Sequence, residues 1–153
     1  MLTVGKKAPD FALPDQSGTI RRLKDFTEKK IIIYFYPKDS TPGCTKEACD
    51  FRDHYQALQQ KGYGIIGVSC DSVKSHLKFQ EKYALPFPLL ADTEQEMVNA
   101  YGVWALKKFM GREYMGILRK TFILDEKRKI THIIDDVDTA NATAQILALT
   151  NGN

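Results

Sequence analysis

Cysteine is scarce in this chain: three residues in 153, an odd number and too few to scaffold a small secreted module, which points to a compartment that keeps thiols reduced. No charge of one sign dominates either. Lys+Arg 22 against Asp+Glu 19 leaves +3, and no basic block exceeds a few residues, so nucleic-acid binding is not expected. No apolar run approaches the roughly 20 residues that a bilayer span needs, and the opening MLTVGKKAPDFALP lacks a continuous apolar signal core. The expectation is a cytoplasmic protein with no membrane partner. Histidine is equally sparse: His54, His76 and His132 form no ligand-spaced cluster around the cysteines, and no metal is expected.

What is present is an ordinary globular composition, 43% hydrophobic and 27% charged, with no internal repeat; residues 1–153 are expected to form one domain with a sizeable core. Pro9, Pro14 and Gly18 break the N-terminal segment into short extended or hairpin pieces, with a second short strand over 19–23. Residues 30–36, KIIIYFY, form a continuous β-branched and aromatic run, as in a strand buried on both faces, and Pro37 ends it.

Ala48, Phe51, Tyr55 and Leu58 recur at helical spacing until Gly62. A buried strand is expected over 63–69 and a helix over 72–83, with Ser72 at its start and Leu77 and Phe79 helping define its face. A short strand over 87–91 and a short helix over 94–101 follow. Residues 121–124 and 129–134 flank the polar turn DEKR as a β-hairpin, and Asp138 is placed to cap a last helix through Leu149. The stretch 103–116 reads as a loop or strand lid rather than core. The sum is a three-layer α/β sandwich with a central mixed sheet and an N-terminal β-hairpin extension, its crossover helices covering both sheet faces.

The chemistry is carried by cysteine position. Cys44 follows the first central strand, on the loop or first helical turn after it, where unpaired N–H groups and the positive helix end favour thiolate over thiol. Thr41 has a hydroxyl within reach of the sulfur, and Pro37 and Pro42 stiffen the approach. Alone, the position also admits a buried small hydrophobe. Cys49 lies five residues on, and an ideal helix would separate the two Cα atoms by about 8.6 Å. A disulfide needs about 6.8 Å or less, so this pair closes only if residues 42–49 locally unfold. The spacing is not the C-x-x-C of a dithiol oxidoreductase.

The segment PKDSTPGCTKEAC resembles the active-site segment of the peroxiredoxins, specifically the peroxiredoxin Q or bacterioferritin-comigratory-protein subfamily. GKKAPDFALPDQSG, IIIYFYPKDSTPGCTKEACDFRD, GVSCDS, LPFPLLAD and RKTFILDEKRKI extend the likeness over nearly the whole chain. The resemblance implies a thioredoxin-like fold. It also implies a thiol peroxidase in which Cys44 is the peroxidatic nucleophile, Pro37 and Thr41 belong to its P-x-x-x-T-x-x-C motif, and Arg119 is the arginine of its R-x-T-F-x-I segment. Cys49 matches the resolving cysteine of many members, which implies an intramolecular Cys44–Cys49 disulfide.

On that basis the backbone N–H groups of Gly43 and Cys44 would bind the peroxide oxygens, and Arg119 would stabilise the developing negative charge. Hydrogen peroxide and organic hydroperoxides are the expected substrates and thioredoxin or a similar dithiol protein the reductant, with no metal, haem or flavin cofactor. A monomer is expected, since an intramolecular pair needs no second subunit, though it does not forbid a dimer. The competing function is a redox sensor or chaperone-like module using the same pair. Cys70 reads as a structural thiol or as an alternative disulfide partner. Phe109, Met110, Tyr114 and Met115 read either as local core or as an apolar patch for bulky hydroperoxides or a partner.

Overall fold

The computed structural model describes residues 2–150. A five-stranded sheet in the order β5-β4-β3-β8-β9 forms the middle layer. Its members are β3 (Lys30–Phe35), β4 (Tyr63–Ser69), β5 (Leu89–Ala91), β8 (Lys120–Leu124) and β9 (Ile130–Ile134). β3, β4 and β5 run parallel, while β8 pairs antiparallel with both β3 and β9. The expected strand over 87–91 begins two residues later, because Pro88 has no N–H to give a ladder and contributes only its carbonyl, to Gly67 N–H at 3.1 Å. β3 alternates cleanly: Ile31, Ile33 and Phe35 enter one core, Ile32 and Tyr34 the other.

Four helices connect or follow these strands: α1 (Pro42–Asp53), continued by α2 (Tyr55–Gln60); α3 (Val73–Tyr83); and, at the end, α5 (Ala142–Leu149). All place apolar residues in the same core, including Ala48, Phe51, Leu58, Phe79 and Ile146. The helix expected over 94–101 covers the other face, so helices lie on both faces, but unevenly. The two crossovers β3-α1/α2-β4 and β4-α3-β5 step in the same direction along the sheet, and right-handed connections then fall on one side. The opposite face is closed by the short α4 (Glu96–Ala100), the N-terminal hairpin of β1 (Ala12–Pro14) and β2 (Ile20–Arg22), and Leu23 and Phe26 just beyond it.

Local departures have local causes. The single helix expected up to Gly62 is interrupted at His54, whose backbone leaves the helical range and whose ring Nδ1 and backbone N–H share Asp50 O at 2.8 and 3.2 Å. In α3, Ser72 is the cap and accepts Ser75 N–H, but the buried face is His76 and Phe79. Leu77, a quarter-turn away from His76, is exposed. Asp138 does not cap α5. The helix starts at Ala142 after Asn141, and its Thr143 N–H is taken by Asp50 Oδ1 of α1 at 2.8 Å, while Asp138 only closes the preceding turn.

The stretch 103–116 is mostly a hairpin of β6 (Trp104–Phe109) and β7 (Arg112–Ile117). Val103 and Ile117 at its base are core residues, while Leu106, Phe109, Met110, Tyr114 and Met115 are exposed. The four aromatic and methionine side chains singled out in the sequence are thus exposed and not local core, with Phe109 and Tyr114 on one face of the hairpin and Met115 on the other. Among the described residues no helix is long and apolar enough to cross a membrane.

Candidate functional site

β3 and β4 both end at one edge of the sheet, where Tyr36 N–H still reaches Val68 O before Pro37 stops the pairing. The chain then crosses that edge through residues 37–41 and enters α1 with Thr41 as an extended N-cap and Pro42 at the first helical position, the place where its missing N–H costs nothing. The first helical bond runs from Thr45 N–H to Thr41 O, 2.8 Å, so the N–H groups of Gly43 and Cys44 lie ahead of the ladder. Cys44 sits in that first turn and is buried.

Arg119 reaches the same spot from a distant part of the chain. The β3–β8 register sets Phe35 opposite Lys120, so Arg119, the residue just before β8, faces the end of β3 and the loop beyond it. Its Nη2 donates to Cys44 Sγ at 3.2 Å and its Nη1 to Glu47 Oε1 at 2.8 Å. Gly43 makes room for this approach: a Cβ there would stand 3.3 Å from Nη2. Burial opposes the guanidinium charge, but the Cys44 sulfur and the Glu47 carboxylate outweigh it and hold Arg119 above its ordinary value.

Glu47 was not anticipated, although its spacing contained the signal: positions 44, 47, 48 and 51 form one helical stripe, and a glutamate interrupts it. The side chain is fully buried, and its Oε2 and the nearby Tyr34 hydroxyl have no hydrogen-bond partner among the described residues. Burial pushes the Glu47 carboxyl up to about 7 from 4.5, with Arg119 pulling the other way. A folded value above the unfolded one means that the contribution to stability is full below pH 4.5 and lost as pH rises through about 7. The difference amounts to about 3 kcal/mol. Glu47→Gln should therefore gain stability relative to the parent between pH 5 and pH 8, read by urea unfolding at both; a pH-independent difference between the two proteins would refute the assignment.

The other anticipated residues fall into place unevenly. Thr41 lies beside Cys44 in the chain, but its one hydroxyl proton goes to Lys38 O at 2.9 Å and not to the sulfur, because that carbonyl, three residues back, closes a local turn. Pro37 is half-buried at the start of the loop, and Cys49 half-buried about one and a half turns beyond Cys44 in α1. Both cysteines are free thiols in an unbroken helix. Cys70, also free, lies after β4, where burial and the charges of Asp92 and Asp71 push its thiol up to about 11, away from reactivity at neutral pH.

A second polar cluster lies under the loop. Asp39, Asp71 and His76 bring their ligand-type atoms within 4.8 Å of one another. They are bound to each other and to neighbours: Tyr36 Oη, Ser75 Oγ and His76 Nδ1 lie on the Asp39 carboxylate at 2.6, 2.8 and 2.7 Å, and Asp71 Oδ2 accepts Asp39 N–H and Ser69 Oγ–H. The sequence offered no pairing of His76, on α3, with a loop 37 residues earlier.

A thioredoxin-like sandwich that presents a cysteine at the head of the helix after its first central strand, under a guanidinium, belongs to the class of thiol redox proteins. The AhpC/TSA family model matches residues 4–133. Peroxiredoxin Bcp of Bacillus subtilis is 50% identical over 129 residues, 84% of this chain and 82% of that protein. Peroxiredoxin Bcp of Escherichia coli K12 is 43% identical over 140 residues, 92% of this chain and 90% of that one.

The solved Xanthomonas campestris bacterioferritin comigratory protein superposes with a TM-score of 0.88 at 34% identity, covering 97% of this chain and 98% of its own. A mutant of Xylella fastidiosa PrxQ superposes at 0.91 with 28% identity, covering 99% and 96%. The chain belongs to the AhpC/TSA family, in its BCP/PrxQ branch of the peroxiredoxins, and is a thiol-based peroxidase.

Proposed function

We propose that Cys44 is the peroxidatic nucleophile of this peroxidase; the observation that carries this reading is the 3.2 Å contact between its sulfur and Arg119 Nη2 at the start of α1. The sulfur attacks the terminal oxygen of a hydroperoxide; the O–O bond breaks, an S–O bond forms, and the displaced alkoxide or hydroxide takes up the proton released from the thiol. Negative charge moves from sulfur onto the two oxygens during this step. Arg119 faces that path with a fixed charge and a second donor, and Glu47 holds its plane in position through Nη1. The N–H groups of Gly43 and Cys44 supply two further donors at the helix head. Thr41, its proton committed to Lys38 O, offers lone pairs to the O–H of the incoming peroxide, which fixes the direction of attack. Pro37 sets the rigid entry to the loop.

Cys49 then resolves the sulfenic acid: its thiol gives up a proton, the sulfur attacks Cys44 sulfur, an S–S bond forms as the S–O bond breaks, and the displaced hydroxide takes up that proton and leaves as water. Helical geometry keeps the two apart, so α1 unwinds over residues 42–49 before this step. A dithiol protein such as thioredoxin returns the two electrons, in the reducing cytoplasm where such a disulfide is transient. No second subunit is required. The test is stopped-flow oxidation of the reduced protein by hydrogen peroxide and by a bulky hydroperoxide, followed by mass mapping of the disulfide. Cys44→Ser should abolish peroxide consumption; turnover that survives in this variant would overturn the assignment.

A further inference from the structure

Asp39 sits in the middle of the loop that leads to Cys44, yet its carboxylate is buried against α3 and the end of β3. Three side-chain donors converge on it. Tyr36 Oη donates to Oδ1 at 2.6 Å; Ser75 Oγ and His76 Nδ1 lie on Oδ2 at 2.8 and 2.7 Å. The Asp39 N–H is held as well, by Asp71 Oδ2 at 2.8 Å, and Asp71 is oriented by Ser69 Oγ–H at 2.7 Å.

His76 is completely buried, and its other ring nitrogen, Nε2, meets Leu90 O at 2.9 Å. A carbonyl only accepts, so Nε2 carries a proton, and a further proton lies between Nδ1 and Asp39 Oδ2. Both ring nitrogens are thus committed, and the imidazole ties the loop on one side to β5 on the other. The next loop residue, Ser40, is held at φ 63, a left-handed conformation that a non-glycine residue adopts only when its surroundings impose it. Two residues further on, α1 begins.

We propose that the Asp39–His76 pair is the latch of the Cys44 loop. It pins residues 37–41 against α3 and β5, and so sets how readily the first turns of α1 unwind. The inference rests on the proposed roles of Cys44 and Cys49 and deepens them: Asp39, Ser75 and His76 are positioning residues that partition the enzyme between a wound state, in which Cys44 meets peroxide under Arg119, and an unwound state, in which Cys49 reaches Cys44. Loosening the latch therefore moves the two chemical steps in opposite directions, which a residue that merely adds stability does not do. It also has a signature with no chemistry in it, because amide exchange over residues 42–49 tracks the opening of that segment alone.

The test is a graded series: Ser75→Ala, which removes one donor from a half-buried position, then Asp39→Asn, then His76→Gln, with Ile130→Val in β9, a residue of the opposite core, as a remote destabilised control. In reduced protein, exchange of the amides of residues 42–49 should quicken by about 3-fold to 30-fold along the series while the β3 and β4 amides are unchanged. In stopped flow, oxidation by hydrogen peroxide should slow and the following disulfide step should quicken, so that their ratio shifts by on the order of 10-fold in Asp39→Asn. Sulfinic acid formed at high peroxide should fall in the same order.

Wild-type exchange over 42–49 in all three variants, or both steps slowing together as in the control, would overturn the latch. Should His76→Gln fail to fold, Ser75→Ala and Asp39→Asn still decide the question. Absence of Cys44 oxidation in the parent protein would instead refute the proposed function, and the exchange measurement would still judge the latch on its own.

Discussion

Arg119→Ala should slow oxidation of Cys44 by about 10²-fold to 10³-fold, the loss expected when a preorganised donor to developing negative charge is removed. The side chain supplies the Nη2 contact to the sulfur and, through Nη1, the ion pair with Glu47, so its loss has two separable consequences. The kinetic one follows from Nη2, and Arg119→Lys should recover only part of it, because an ammonium is a point charge without the two-pronged geometry.

The thermodynamic consequence follows from Nη1. Removing one partner of a buried pair costs about 3–5 kcal/mol when the other stays charged. Glu47 already sits near neutrality, with burial as the dominant cause, and without the guanidinium its carboxyl climbs further. The variant should therefore lose least stability at pH 6 and most at pH 8. Adding Glu47→Gln should restore stability and leave the rate low. Stopped-flow rates and urea midpoints at the two pH values read both; equal recovery of rate and stability in the double variant would show that Arg119 acts only through folding.

In Cys49→Ser, the first oxidation should proceed within about 2-fold of the parent rate while dithiol-dependent turnover falls by on the order of 10²-fold or more, since no exchangeable disulfide can form. The sulfenic acid on Cys44 then meets a second peroxide, and the product under excess oxidant should be the sulfinic acid, seen as a mass gain of two oxygen atoms. Cys70 does not replace it in this scheme. Burial and two acidic neighbours keep its thiol protonated, so it attacks slowly. Thioredoxin-dependent recycling of Cys49→Ser at the parent rate would move the resolving role to Cys70, and Cys49→Ser/Cys70→Ser would then be inactive.

The central strands were legible because burial on both faces leaves a run such as KIIIYF no alternative reading, and β3 and β4 begin where the pattern places them. Helix faces were less so. The Leu77 reading failed because hydrophobicity outweighed period: His76 and Phe79 are three apart and share the buried side, and a histidine does not announce itself as core. The cap of α5 was misread for a different reason. Asp138 is a good local candidate, but the N–H of Thr143 is satisfied by Asp50, 93 residues away, and no local pattern carries that information.

The site divides along the same line. Residues near one another in the chain are governed by local sterics and helix geometry, and these follow from residue order alone. The order of the segment from Pro37 to Cys49 therefore determined a cysteine on the loop or first helical turn after the central strand, and a second one five residues on, too far to bridge within an intact helix. What lies across the molecule depends on strand order and register. Only the β3–β8 pairing decided that Arg119 meets Cys44 and Glu47, 75 and 72 residues away, and only the packing of α3 against the loop decided that His76 closes on Asp39.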